Sequence, residues 1–136
     1  VGMVHFDAHA DTGDSTYGDV LISHGSPMRR LIESGAIPGK NFVQIGLRGP
    51  WPYPKNLKWM KDQGMRWHLM AEIEKKGFDE VLEMAISEAL DGPDKLYISV
   101  DVDVMDPAFA PGTGTPEPGG ISSLELLRAI REIVLS

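Results

Sequence analysis

The 136-residue chain contains no cysteine, which excludes disulfide staples and thiolate metal sites. No apolar run approaches the roughly 20 residues that a bilayer-spanning helix needs, and no signal peptide is visible. The cytoplasm is therefore the expected location, with no membrane partner. Basic residues are also scarce. Thirteen Lys and Arg against twenty Asp and Glu leave a formal charge of −7, which argues against nucleic acid as a partner. Internal repeats and low-complexity linkers are missing too. What remains is an ordinary globular composition, 42% hydrophobic and 24% charged, in a chain long enough for one domain with its own core.

Two acidic stretches organise this chain. The first is Val4-His5-Phe6-Asp7-Ala8-His9-Ala10-Asp11; the second is Ser99-Val100-Asp101-Val102-Asp103-Val104-Met105-Asp106. Each begins as an apolar run, as a strand buried on both faces of a parallel sheet would. Each ends in closely spaced carboxylates, which would be costly inside a core. At the carboxyl edge of a parallel sheet, where open α/β folds bind their ligands, they become reasonable. In extended backbone, Asp7, His9 and Asp11 would project to one side, and so would Asp101 and Asp103. A lone Asp-x-Asp is usually a capped turn. A histidine among alternating aspartates, with a second acidic strand end, points instead to a metal site, and to one holding two ions. Oxygen-rich ligation with an imidazole suits manganese or a related divalent ion better than zinc. An EF-hand is excluded, because the stretch from Asp101 lacks Gly at position six and Glu at position twelve.

Taken in order, the pattern predicts strands over Val1–Phe6, Phe42–Leu47, Met65–Leu69 and Leu96–Val100. Helices are expected over Met28–Ser34, Asn56–Gln63 and Phe78–Leu90, and from the capping-box spacing Ser122-Ser123-Leu124-Glu125 to the chain end. Pro107 to Gly120 reads as a Pro/Gly loop. Strands alternating with helices argue an α/β fold on a mostly parallel sheet. The chain opens inside a strand at Val1 and stops inside a helical pattern at Ser136, without an initiator Met, so an internal fragment of a longer protein is expected.

Asp7-Ala8-His9-Ala10-Asp11, Ser23-His24-Gly25-Ser26-Pro27, Ser99-Val100-Asp101-Val102-Asp103-Val104-Met105-Asp106-Pro107 and Ala110-Pro111-Gly112-Thr113-Gly114-Thr115-Pro116-Glu117-Pro118-Gly119-Gly120 together resemble the ureohydrolases, the arginase/agmatinase family of binuclear manganese enzymes. The resemblance covers nearly the whole chain. It implies the three-layer arginase-like α/β fold, seen here in part, with residues 1–136 lying in a single catalytic domain. It also implies hydrolysis of a guanidino group to urea and an amine, and a homo-oligomeric parent, trimer or hexamer.

By motif position, Asp7 and Asp101 resemble the carboxylates that bridge two divalent ions, manganese or in some relatives nickel. His9 and Asp103 resemble the ligands completing one ion, and Asp11 a ligand of the other. His24 resembles the family's proton-shuttling histidine; its alternative is a helix-capping role. The family's upstream histidine ligand would precede Val1 and its guanidinium-binding glutamate would follow Ser136, so the fragment alone is expected to be inactive. His5 reads as a support near Asp7, and His68 as packed or on the surface. Trp51 and Tyr53 offer aromatic faces to a cationic substrate, or simply pack a Pro-rich loop.

Arginases hold an amino-acid head group partly through an acidic loop after an Ile-Gly-Leu-Arg-type strand. Here Ile45-Gly46-Leu47-Arg48 leads to Gly49-Pro50-Trp51-Pro52, and Thr12 to Gly18 also lacks the arginase pattern. Both departures resemble the agmatinase side of the family, implying agmatine cleavage in polyamine metabolism. Guanidinobutyrase, other guanidino-acid hydrolases and guanidine hydrolase are the alternatives. An inactive metal-binding regulatory subunit is the other class of reading.

Overall fold

The computed structural model describes residues 1–15, 18–50 and 52–135. Four strands, β1 (Gly2–Phe6), β2 (Phe42–Leu47), β3 (Arg66–Leu69) and β4 (Leu96–Val100), form one sheet in the order β3-β2-β1-β4. Every pairing is parallel. Val1 lies outside β1 and is exposed. Five helices connect and follow the strands: α1 (Pro27–Glu33), α2 (Pro54–Asp62), α3 (Met70–Lys76), α4 (Phe78–Ala89) and α5 (Ser123–Leu135). Among the described residues, no helix is long and apolar enough to cross a membrane.

The strand pleat divides the core into two. Val4, Phe6, Val43 and Ile45 pack with Ile73 of α3, Val81, Leu82 and Ala85 of α4, and Leu126, Ala129 and Ile133 of α5. On the opposite face, Met3 and Phe42 pack with Ile32 of α1 and Met60 of α2. Helices thus cover both faces, the three-layer arrangement that the resemblance implies. Leu47 belongs to the second core although Ile45 belongs to the first. The switch follows a register irregularity between Ile45 and Leu47, where Gly46 takes φ +107°. A Cβ there would lie 2.6 Å from Val104 Cγ2 and 3.1 Å from the Asp7 carbonyl oxygen. Only glycine combines that conformation with so close an approach.

Several boundaries differ from the sequence reading. α2 begins at Pro54 rather than Asn56, because proline is tolerated in the first helical turn. α3 was not expected at all. It follows β3 directly and is separated from α4 by Gly77 at φ +97°. The capping box forms as expected: Ser122 Oγ accepts from the Glu125 N–H at 3.2 Å, and Glu125 Oε2 accepts from the Ser122 N–H at 2.7 Å. β4 is not buried on both faces, since Tyr97 and Val100 are exposed at this edge of the sheet.

Candidate metal centre

β1 and β4 are neighbours and run in register from Gly2↔Leu96 to Phe6↔Val100. Their carboxyl ends therefore deliver the two acidic stretches to the same sheet edge. Beyond that edge the backbone is not extended, which corrects the alternation argument. β4 stops at Val100, and Val102–Val104 is a 3₁₀ turn capped by Asp101, whose Oδ1 accepts from the Asp103 N–H at 3.0 Å. The turn sends the two aspartates different ways: Asp103 is 3% exposed, while Asp101 lies on the exposed side. The first stretch also bends. Asp11 sits at φ +54°, a left-handed conformation that aspartate adopts more readily than most residues. Its carbonyl accepts the Met28 and Arg29 N–H groups at the start of α1, at 3.1 and 3.3 Å.

Asp7 is the hub. It is 1% exposed. Its Oδ2 lies 3.1 Å from His5 Nε2, and its Oδ1 accepts from the His9 N–H at 2.6 Å. Gln44 Nε2 donates to His5 Nδ1 at 2.9 Å and to the Ala10 carbonyl at 2.7 Å. His5 Nδ1 is thereby an acceptor, which leaves Nε2–H to donate to Asp7. Asp103 approaches from β4. Its Oδ1 accepts from the Ala8 N–H at 3.0 Å, and its Oδ2 is 2.9 Å from His9 Nδ1 and 3.4 Å from Thr115 Oγ1.

Among the described residues, two groups of three have donor atoms all within 4.8 Å of one another: Asp7, His9 and Asp103; and His5, Asp7 and Asp11. Asp7 belongs to both. The structure thus brings together four of the five metal residues expected from sequence, with Asp101 beside them but in neither group, and it adds His5. His24 is exposed on a loop outside both groups. That loop is tied to the first acidic stretch by the Gly13 N–H, which donates to the Gly25 carbonyl at 2.9 Å. Tyr53 is half exposed just before α2, and Trp51 lies outside the described residues. His68 is packed: it is 4% exposed, with Glu72 at 3.0 Å and Glu88 at 3.1 Å.

So much negative charge in a small volume shows in the protonation of the site. Burial alone would raise the Asp7 carboxyl, but side-chain hydrogen bonds from His5 and His9 outweigh it and hold the group well below the usual carboxylate range. Hydrogen bonds to Asp103 and then Asp7 raise the His9 imidazole to about 10. Among the described residues, no side-chain hydrogen bond lowers Asp11 in that way. Burial, then the charge of Asp7, pushes its carboxyl up to about 8. By itself the protein thus keeps protons among these side chains at neutral pH, where a divalent cation would replace them. Oxygen donors from carboxylates with one imidazole form a set that fits such an ion.

Residues that the sequence reading did not single out complete the rim. Arg48, at the carboxyl end of β2, donates to the carbonyls of Gly46, Asp103, Val104, Met105, Glu117 and Pro118. Asp106 accepts from the Ala108 and Gly119 N–H groups at 2.9 and 2.8 Å and so pins the Pro/Gly loop.

Comparison with known proteins follows the same lines. The sequence pattern of the arginase family matches residues 1–135. Guanidinopropionase of Pseudomonas aeruginosa is 46% identical over 131 residues, covering 96% of this chain and 41% of that protein. Mitochondrial agmatinase of Gallus gallus is 42% identical, covering 96% of this chain and 38% of that protein. Among solved structures, formimidoylglutamase from Bacillus subtilis superposes with a TM-score of 0.91 at 30% identity, covering 99% of this chain and 41% of that one. The chain thus spans about 40% of the length of the curated relatives it matches.

Proposed function

The chain belongs to the arginase family, and from that premise we propose that it carries the metal-binding part of a hydrolase that cleaves a guanidino group to urea and an amine. The observation that carries this reading is Asp7 at the carboxyl edge of a parallel sheet, with donor atoms of His9 and Asp103 in reach on one hand and of Asp11 on the other. One shared carboxylate between two sets of donors is the arrangement a two-ion site requires. Asp7, His9, Asp11, Asp101 and Asp103 would hold the ions, which we take to be manganese, with nickel as the alternative. Divalent ions in such a site supply Lewis acidity and make a water-derived nucleophile available near neutral pH.

The remaining chemistry belongs to side chains of this protein. Guanidinium is a resonance-stabilised cation, and the ligand carboxylates offset the charge of the ions that it would approach. Asp7 and Asp103 are locked by their hydrogen bonds to His5, His9 and Ala8, so they need no reorganisation as charge develops. His24 is proposed to give a proton from its ring nitrogen to the departing amine; an imidazole is suited to that task near neutral pH. The tether between its loop and the Asp11 stretch supports this role.

Agmatine is the proposed substrate, because Gly49-Pro50 replaces the acidic loop that would hold an amino-acid head group. Guanidino acids are the close alternatives, and the names of the relatives span several such substrates. We further propose that the chain is part of one larger catalytic domain. The test is urea release by the full-length protein from agmatine, 4-guanidinobutyrate, 3-guanidinopropionate and arginine, with and without added Mn²⁺. Agmatine should give the highest kcat/KM, and arginine the lowest. Absence of urea from every compound in the metal-loaded protein would refute the reading.

A further inference from the structure

Resting on that reading, we propose that Glu117 is a positioning residue for His9: its carboxylate faces the imidazole Nε2 at ion-pair distance and so favours Nδ1 as the ring atom turned toward Asp7 and Asp103. Three features of the structure converge on this carboxylate. The first is distance. His9 Nδ1 lies 2.9 Å from Asp103 Oδ2 and 3.5 Å from Asp7 Oδ1, while its other nitrogen, Nε2, lies 3.7 Å from Glu117 Oε1. The ring stands between the donor cluster on one side and Glu117 on the other.

The second feature is space made by the backbone. A Cβ on Gly49 would lie 2.7 Å from Glu117 Cδ and 2.8 Å from each of its carboxylate oxygens. The side chain of Glu117 occupies the volume that any larger residue at position 49 would fill. The third is anchoring. Arg48 Nη2 donates to the Glu117 carbonyl at 2.7 Å and, with the same nitrogen, to the Asp103 carbonyl at 2.7 Å. One guanidinium therefore fixes the backbones of both residues that flank the His9 ring. The Gly119 N–H bond to Asp106 holds the loop on its other side.

An imidazole that binds a cation through one nitrogen ordinarily donates its other N–H to a carboxylate, carbonyl or water. That partner sets the tautomer and the ring orientation, and losing it typically costs about 10- to 100-fold in metal affinity. Glu117 places a carboxylate on the Nε2 side of the ring at ion-pair distance while lying outside both donor groups, so its part is to orient His9 rather than to touch an ion or the substrate.

The experiment is Mn²⁺ titration of the full-length protein, comparing wild type with Glu117→Ala and Glu117→Gln. Melting of each metal-free protein serves as the control for folding. Glu117→Ala should melt close to wild type without metal, yet bind one of its ions about 10- to 100-fold more weakly. Glu117→Gln keeps an acceptor oxygen and should fall between the two. Superimposable isotherms for wild type and Glu117→Ala would overturn the inference while leaving the metal reading intact. If Glu117→Ala does not fold, a Glu117→Gln isotherm identical to wild type overturns it in the same way. A drop in metal-free melting that accounts for the whole loss of affinity would make Glu117 merely structural. A wild type that takes up no divalent ion would remove both the metal reading and this inference.

Discussion

Loading the site with divalent ions should expel protons from His9 and Asp11, because a ligand must be deprotonated to bind a cation. In the metal-free protein both groups titrate above their usual values, His9 at about 10 and Asp11 at about 8. The sign is the same for both: at neutral pH each carries a proton that the ion has to displace. At pH 7 His9 is fully protonated and Asp11 about nine-tenths so, and together they contribute about two protons per site. At pH 9 Asp11 has lost its proton beforehand and the contribution falls to about one. The apparent affinity should therefore rise steeply with pH up to about 8, then roughly half as steeply toward 10. Calorimetric Mn²⁺ titrations in buffers of different ionisation enthalpy measure the count directly. Asp11→Asn should remove about one proton from the count at pH 7 and none at pH 9. The same proton count at pH 7 and pH 9 in wild type would refute the reasoning, since no group of the site would then titrate near 8.

Two further substitutions separate chemistry from architecture. His24→Ala should leave Mn²⁺ stoichiometry unchanged but lower kcat by about 10² or more, the usual scale for loss of a general acid; unchanged turnover would return His24 to a structural role. Gly46→Ala forces a side chain against Val104 and the Asp7 carbonyl at positive φ. It should destabilise the fold by about 1–3 kcal/mol and weaken metal uptake together, read as a lower melting temperature and a shifted isotherm.

β1, β2 and β4 were legible because strands of a parallel sheet read as short apolar runs bounded by polar loops. Their lateral order was not. Nothing local to Leu96–Val100 says that it pairs with Gly2–Phe6 across some ninety intervening residues. α3 escaped because Leu69, its N-cap, offers no capping side chain and Met70-Ala71 follows β3 with no turn residue between them. Asp7, His9, Asp11 and Asp103 stood out as candidate donors by their spacing, but the geometry behind that reading was partly wrong. The 3₁₀ turn at Val102–Val104 aims Asp103 and a left-handed backbone aims Asp11, rather than an extended strand. Glu117 and Arg48 carried no periodic signal. Their significance comes from contacts across 69 residues between them and, for Arg48, 55 residues to Asp103.

The pairing of β1 with β4 also orders events in time. The bond from the Ala8 N–H to Asp103 spans 95 residues, so the two halves of the donor set come together only when a loop of that size closes. Contacts so distant in sequence are slow to form, since the entropy of closure is lost before the contact rewards it. The two acidic strand ends also repel one another as they converge. A free chain offers an ion only scattered carboxylates, whereas the closed ring offers a chelate. A cation that binds the native form alone shifts the balance toward it by mass action. An ion bound there would thus act as a latch on a ring that β1 and β4 must first bring shut.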